Sequence, residues 1–600
     1  MATRIMHVPM PRKTSNYLHT KAFEKGYVYS KTTSINVKPC SVLCTAEKPT
    51  DRNPIERRRS GNYKPPSWDF DYIQSLNSEY KGEKYLRRVF ELKKRVKMML
   101  EGVMDRVDQL EFIDDLQKLG ILYHFEDKIK RILENIYHDH ISSKTDKMKE
   151  TNLYSTALEY ILLRQHGFCV SQEIFDSFKK RKGDFKESLV DDTKGLLQLY
   201  EASFLMAKGE YALELAREFA TIFLQKKLDE GNNAIDDYLA LLVRNALDLP
   251  LHWRVERPKA RWFIEVYEKR PSMNAVVLEL AKLDFNIVQA IHQEELKHIS
   301  RWWKRTSITE KLPFARDRIV ESYIWSVAGH FEPQYAHFRT MGTKVNAFIT
   351  VLDDIFDVYG TLEELQLFNY VIQRWDIKSM EQLPHYMQVM FLALNNLINE
   401  IAYDVLKDQG IVIIPYLRKL WADLSQSYFQ EAKWQYEKYK PTLQEYVENG
   451  WISISAPVIL CHAFLLLANP IEIEVVQSLF KYHNVVRLAG IILRLVNDLG
   501  TSPDEMKRGD VLKSVQCYMN ETGACEEEAR EYIRFLIGEA WKEMNRERVA
   551  ESSFPHEFIR SAVNLGRTAQ YMYHHGDGHG HQQHPEIKDQ FRKLLFEPIA

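Results

Sequence analysis

From Asp71 onward, apolar residues recur at i, i+3, i+4 and i+7 with few pauses. Leu110, Ile113, Leu116 and Leu119 form one such stripe, with Phe112 and Ile121 beside it. Val276, Leu280, Leu283, Ile287 and Ala290 form another. That spacing belongs to amphipathic helices, and runs of strict alternation, the mark of strands, are not found. No repeat of 20–50 residues stands out, which argues against a solenoid. A break near Arg270-Pro271, preceded by Leu249-Pro-Leu-His-Trp-Arg254, offers a boundary. The pattern predicts an all-α protein with a helical half at 58–270 and a second at 271–600.

Composition supports long helices. Glycine and proline number only 24 and 21 in 600 residues, whereas aromatic residues make up 12%. With 45% hydrophobic and 27% charged residues, disorder and collagen-like repeats are excluded. A balance of 81 basic against 83 acidic residues gives no sign of a nucleic-acid partner. No window is expected to supply the roughly 20 apolar residues of a membrane span, since stretches such as Ala456–Ala468 are interrupted by Pro457 and His462. The six cysteines form no paired CxxC set, as expected of a reducing compartment.

The first 50 residues differ from the rest. They hold eight Lys/Arg, eleven Ser/Thr and only two acids, Glu24 and Glu47. A basic, hydroxyl-rich, acid-poor leader is the composition of an organellar transit peptide, read here as residues 1–57. An untargeted arm would look similar.

Chemistry is concentrated in two acidic sets. Asp353-Asp354-Ile-Phe-Asp357 ends the apolar run Val345–Leu352. Asp353 and Asp357, four apart, share a helical face, with Asp354 turned aside by about 100°. Carboxylates set against apolar sequence are costly without a compensating cation. Mg²⁺ suits them because it takes one or two carboxylates and completes its shell with water and phosphate. A solvated acidic helix end is the other reading. The second set, Asn497, Thr501 and Glu505, lies at i, i+4 and i+8, an amide, a hydroxyl and a carboxylate on one stripe. Gly500 and Pro503 could instead mark a helix end. Two oxygen sets on separate helices suggest cations clamping a polyanion.

Basic residues are spaced to match: Arg316 and Arg318 lie 37 and 35 residues before Asp353, Arg494 one turn before Asp498, and Lys513 after the Arg508-Gly-Asp510 segment. Guanidinium forks and a lysine point charge suit diphosphate oxygens. Asn346 shares a face with Asp353 and could hold a water or orient a cation, or be satisfied by backbone. The segment His574–His584 carries five histidines at irregular spacing among glycines, and reads as a loop rather than a metal site.

The constellation resembles the plant class I terpene synthases, specifically the angiosperm monoterpene branch. Arg58-Arg59, eight residues and Trp68 match that branch's tandem-arginine motif. Asp353-Asp354-x-x-Asp357 matches its aspartate-rich motif, Asn497-Asp498-x-x-Thr501-x-x-x-Glu505 its second metal motif, and Arg316-x-Arg318 its arginine pair. Leu197–Phe204 and Gly576–Gly580 are also similar to this branch.

The resemblance implies two α-helical domains with the active site in the C-terminal one. It implies three Mg²⁺ ions, replaceable by Mn²⁺, held by Asp353, Asp357, Asn497, Thr501 and Glu505. Arg316, Arg494 and Lys513 would bind diphosphate, and Arg58 and Arg59 would fold over the mouth where geranyl diphosphate isomerises to linalyl diphosphate. Trp325 and Tyr573 would face a carbocation, and His579 could accept a proton. Asn346 is similar to a position in limonene- and 1,8-cineole-type enzymes. A plastid location and a monomer or weak homodimer complete the expectation. Two positions depart from the pattern: Asn497 where many members have Asp, and Phe356 where Tyr is more usual. A sesquiterpene synthase taking farnesyl diphosphate would carry the same metal motifs, and an inactive helical scaffold is the alternative outside catalysis. A chain-elongating prenyltransferase would want a second DDxxD, and a class II cyclase a DxDD that Asp69-Phe-Asp71-Tyr72 only approaches.

Overall fold

The computed structural model describes residues 58–102, 105–142, 152–181, 183–231, 234–508, 512–550, 552–580 and 585–600, with the side chains of 503–508 outside the description. Residues 1–57, which carry the transit-peptide expectation, and two of the five histidines, His581 and His584, also lie outside it. Among the described residues there is no β-strand, only an isolated bridge between Lys179 and Phe185. Residues Arg58–Ala600 form one compact unit.

In the first half, α1 (Leu153–Gln165) and α2 (Thr193–Ser203) are buried on nearly every face. The predicted stripe Leu110, Ile113, Leu116 and Leu119 is fully buried in the same core. Two further helices, α3 (Asp237–Asp248) and α4 (Glu256–Tyr267), lead toward the second half. A 32-residue helix, α5 (Ala275–Thr306), begins just past Arg270-Pro271 and is capped by Asn274. Its buried face runs through Val277, Leu280, Ala281, Phe285 and Val288, while Val276, Leu283 and Ile287 are only partly covered. The predicted stripe is therefore rotated, because α5 packs on helices of both halves and buries more than one face.

The second half is built from α6 (Ile319–Gly329), α7 (Ala336–Asp354), α8 (Leu362–Arg374), α9 (Ile414–Glu437), α10 (Leu443–Ser453), α11 (Ala456–Leu467), α12 (Asn484–Arg508), α13 (His556–Tyr573) and α14 (Pro585–Leu595). Their apolar faces form the largest core cluster, which also takes in Trp68 and Ile73 from the N-terminal segment. The chain end is tied to α5: Asn286 exchanges hydrogen bonds with Ile599, and Gln289 and Gln293 donate to carbonyls of Lys593, Leu594 and Leu595.

Two helical stretches, His385–Gln409 and Leu443–Leu467, are long and apolar enough to cross a membrane by length and composition, which corrects the sequence expectation. Their apolarity lies inward, half buried in the first and 72% buried in the second. The second is also broken between α10 and α11, where Ser455 sits at φ 68°. Asp69, part of the near-miss acidic motif, is a helix cap accepting from the Asp71 and Tyr72 amides.

Gly500 lies within α12, and the helix runs through it and Pro503 to Arg508, so neither ends the element. A Cβ at Gly500 would come 2.7 Å from the Tyr573 carbonyl oxygen and 2.9 Å from its Cβ, so α12 and α13 approach only because this residue is glycine. Overpacking of this kind costs about 1–3 kcal/mol. Gly500→Ala is therefore expected to lower the urea unfolding midpoint, and an unchanged midpoint would show that α13 yields freely.

Candidate active site

The first oxygen set lies where helix geometry changes. The α-helix α7 ends at Asp354 and continues as a π-helical turn, Ile355–Tyr359, closed by the Gly360 amide on the Ile355 carbonyl at 2.9 Å. Such turns recur at functional sites. Asp353 and Asp357 both line one cleft. Asp354 turns the other way, is fully buried, and accepts from the Arg316 amide at 2.7 Å and pairs with its Nε at 2.9 Å. The Arg316 guanidinium also bridges to Asp353 at 2.5 Å and lies under the Tyr63 ring, 4.9 Å from its centroid. Burial alone would depress its pKa, but Asp354, Tyr63 and Asp353 hold it well above the ordinary value. Arg316 is thus a fixed positive charge in the cleft wall.

The opposite wall is α12. Asn497 and Thr501 face the cleft, and Thr501 donates to the Asn497 carbonyl at 3.0 Å. Arg494 bridges the Asn497 side-chain oxygen and the buried Asp498 carboxylate. Asp498 is structural: it also accepts from the Tyr446 hydroxyl at 3.0 Å and the Ser514 amide at 3.1 Å. Lys513 lines the cleft beside them. Glu505 follows on the same helix, its side chain outside the description.

Between these walls lies a cleft of about 940 Å³, its mouth included. Its deep wall is apolar and aromatic, with Trp325, Ile349, Tyr428, Ile459 and Leu493. Trp325 stands 6.2 Å from Tyr573 and 6.4 Å from His579, ring centre to ring centre. Asn346 lines the same wall, its amide donating to the Ser322 carbonyl at 3.3 Å. That bond commits one of the two amide hydrogens to the Ser322 carbonyl. The His579 Nε2 meets the Thr350 hydroxyl at 3.0 Å, while its buried Nδ1 has no hydrogen bond. Burial, with Arg316 adding to it, pulls this imidazole down to about 3, so it is neutral at physiological pH.

Two chain segments cover the cleft. Arg58 forms a two-pronged pair with Glu364 at 2.7 and 2.8 Å, stacks on Tyr359, and donates to its carbonyl. Arg59 donates to the Asp357 carbonyl at 3.1 Å. The tandem arginines therefore grip the π-helical turn that presents Asp357. Arg318 does not face the cleft; its guanidinium donates to the carbonyls of Lys64 at 3.0 Å and Gly580 at 3.1 Å, tying the N-terminal segment to the loop after α13. Within that loop Asp577 accepts from the His579 and Gly580 amides. His574 points elsewhere, to Asp248.

The sequence reading missed Tyr63, Tyr428, Glu431, Ser455 and Asp577, all of which line the cleft. Only Asp577, within the glycine loop, carried a signal. The donors are carboxylate, amide and hydroxyl oxygens facing one space, a set that fits a hard cation such as Mg²⁺. Among the described residues no three His, Cys, Asp or Glu side chains form a closed site. An open site suits an ion that keeps waters and phosphate oxygens in its shell.

The comparisons with known proteins agree with this geometry. Residues 304–543 match the model of the terpene synthase family metal-binding domain, and 67–247 that of the terpene synthase N-terminal domain. The chain is 56% identical to a (-)-alpha-terpineol synthase of Vitis vinifera, over 90% of this chain and 91% of that protein. It is 50% identical to a chloroplastic myrcene synthase of Quercus ilex, over 99% and 96%. Its fold matches a limonene synthase crystallised with 2-fluorolinalyl diphosphate, with a TM-score of 0.88 at 56% identity, covering 90% of this chain and 100% of that one. It also matches the isoprene synthase of Populus x canescens in complex with three Mg²⁺ ions and dimethylallyl-S-thiolodiphosphate, with a TM-score of 0.81 at 43% identity, covering 89% and 99%. With both family models matched on either side of α5, and the oxygen sets on facing helices of the second, this chain belongs to the terpene synthase family.

Proposed function

We propose that this protein is a monoterpene synthase that ionises geranyl diphosphate, isomerises it through linalyl diphosphate and releases diphosphate with a cyclic or hydroxylated monoterpene of the limonene or 1,8-cineole type. The observation that carries the reading is the cleft itself: two oxygen sets, three cationic side chains, Arg316, Arg494 and Lys513, and an aromatic wall line one space. The relatives named as terpineol and myrcene synthases, and the limonene synthase holding a linalyl diphosphate analogue, support the ten-carbon substrate.

Asp353, Asp357, Asn497, Thr501 and Glu505 would hold Mg²⁺, whose charge neutralises the departing diphosphate. The isoprene synthase complex supports three ions. Arg316, fixed by Asp354, offers its fork to the same oxygens, and Arg494 and Lys513 offer theirs from the facing wall. Charge developing on the leaving group meets donors already in place, the arrangement that lowers barriers most. Trp325 and Tyr573 then turn ring faces toward the allylic cation, worth about 2 kcal/mol each when desolvated. Tyr63 and the loop around His579 exclude water. Neutral His579 can take a proton from the final cation, since even a weak base suffices for so strong an acid. Asn346, on the same wall, would hold a water or orient the cation.

Residues 58–270 and 271–600 would be the two family domains, working as a monomer or weak dimer away from membranes. The chloroplastic name of the myrcene synthase relative supports plastid targeting by residues 1–57. A farnesyl diphosphate substrate is the second reading the metal motifs allow.

The test is incubation of the protein with Mg²⁺ and either geranyl or farnesyl diphosphate, with volatiles read by gas chromatography–mass spectrometry. Ten-carbon products from geranyl diphosphate alone support the proposal; products from farnesyl diphosphate alone overturn it. Asp353→Ala is expected to lower turnover by about three orders of magnitude or more, the loss of about 4 kcal/mol of transition-state stabilisation, with the helical circular dichroism unchanged. Loss of fold would make the residue structural. Removal of residues 1–59 should slow geranyl diphosphate cyclisation much more than linalyl diphosphate cyclisation, and an equal effect on both would remove the tandem arginines from isomerisation.

A further inference from the structure

A second cavity, larger than the catalytic cleft, lies between α3 and α4 on one side and α13 and α14 on the other. It encloses about 1110 Å³, its mouth included. None of its lining residues lines the cleft. Its apolar wall is Trp262, Val255 and Leu594. Its polar groups are unevenly compensated. Asp248 is already held by Arg254 and His574, and Arg254 also donates to the Asn245 and Leu249 carbonyls.

Three groups are left with capacity to spare. Lys259 forms no hydrogen bond or ion pair among the described residues, although it lines this cavity and the two recesses behind it. The acids whose fields reach it are Glu256, engaged by Arg560 and Arg567, and Asp114, paired with Lys118. Glu201, in the recesses, accepts from the Leu251 amide and does not pair with it. Burial pulls the amine down to about 8, against the pull of Glu256, with Arg567 and Lys118 adding to the fall. The Tyr571 hydroxyl is buried without a partner. The Arg261 side chain is only 9% exposed; one of its terminal nitrogens donates to the Lys593 and Glu597 carbonyls, while its Nε is buried 3.9 Å from Glu265 without a hydrogen bond.

A buried hydroxyl without a partner is costly, the half-buried Lys259 amine has none among the described residues, and both are donors. An anionic head group is what a cavity lined by a lysine, a phenol and a guanidinium would bind, and a flat ring beside Trp262 would fill the rest. The volume is that of a small-molecule site. We propose that this cavity binds a small amphipathic organic anion, a carboxylate or phosphate monoester on a flat apolar body, with Lys259 and Tyr571 donating to its head group. Such a ligand would join α4 to α13 and α14, so its binding would stabilise the two halves together. Lys259, Arg261, Trp262, Tyr571 and Leu594 all lie outside the two segments matched by the family models.

The test is calorimetric titration of the full chain with 1-naphthoate and, separately, 1-naphthyl phosphate, in Mg²⁺ with saturating inorganic diphosphate to fill the catalytic cleft. The expected result is one equivalent bound of at least one probe, the tighter of the two identifying the head group. Lys259→Met should weaken that probe about tenfold, the usual loss of a charge-assisted bond. Tyr571→Phe, which removes a single oxygen, should weaken it about threefold and decides the matter if the lysine variant does not fold. Turnover of prenyl diphosphate by Lys259→Met should match the parent. Absence of heat with both probes, parent-like binding by the folded variants, or loss of binding in Asp353→Ala would overturn the site.

Discussion

The catalytic half depends on charge compensation in an apolar setting. Asp353, Asp354 and Asp498 sit on helices packed into the largest apolar core, and two arginines make that arrangement tolerable. Arg316 spans Asp353 and Asp354, and Arg494 spans Asn497 and Asp498. In each case one partner is wholly buried and anchors the guanidinium, while the other faces the cleft. The buried carboxylates, Asp354 and Asp498, are therefore the reason that cationic forks stand ready beside the cleft oxygens of Asp353 and Asn497. Breaking a buried pair leaves one charge unmatched, which is why both halves of each bridge must be kept.

The covering segments follow the same logic. Arg58 and Arg59 hold the π-helical turn by its carbonyls and by Glu364, so the segment before the first helix sets the position of Asp357. Arg318, two residues beyond the cleft arginine, binds two covering segments at once through Lys64 and Gly580. One short stretch, Arg316–Arg318, thus places a charge in the cleft with its first member and fastens its cover with its last.

Much of this was legible in the chain. The helical class followed from periodicity, and Asp353, Asp357, Asn497 and Thr501 meet in one cleft as their spacing suggested. Arg316 and Arg494 were singled out by distance from the acids, and Trp325, Tyr573 and His579 do line the cleft. What escaped has physical causes. The π-helical turn has no signature in residue type, because it is set by one hydrogen bond shifted by a residue. Tyr63 and Tyr428 are two of many aromatic residues, and only tertiary packing distinguishes a cleft ring from a core ring. Gly500 and Pro503 looked like helix breakers, yet the helix runs through both, and the glycine is there because Tyr573 needs the space. The rotated stripe on α5 reflects burial on several faces, where a single-face pattern has no meaning.

The central claim is that the arginine-bridged oxygens form a metal-dependent diphosphate cradle. Its most direct measurement is calorimetric binding of inorganic diphosphate with and without Mg²⁺. Binding that requires the ion and is lost in Thr501→Val is the expected result. Equal affinity in the presence of a chelator, or unchanged Mg²⁺-dependent binding in Thr501→Val, would contradict the assignment of these oxygens.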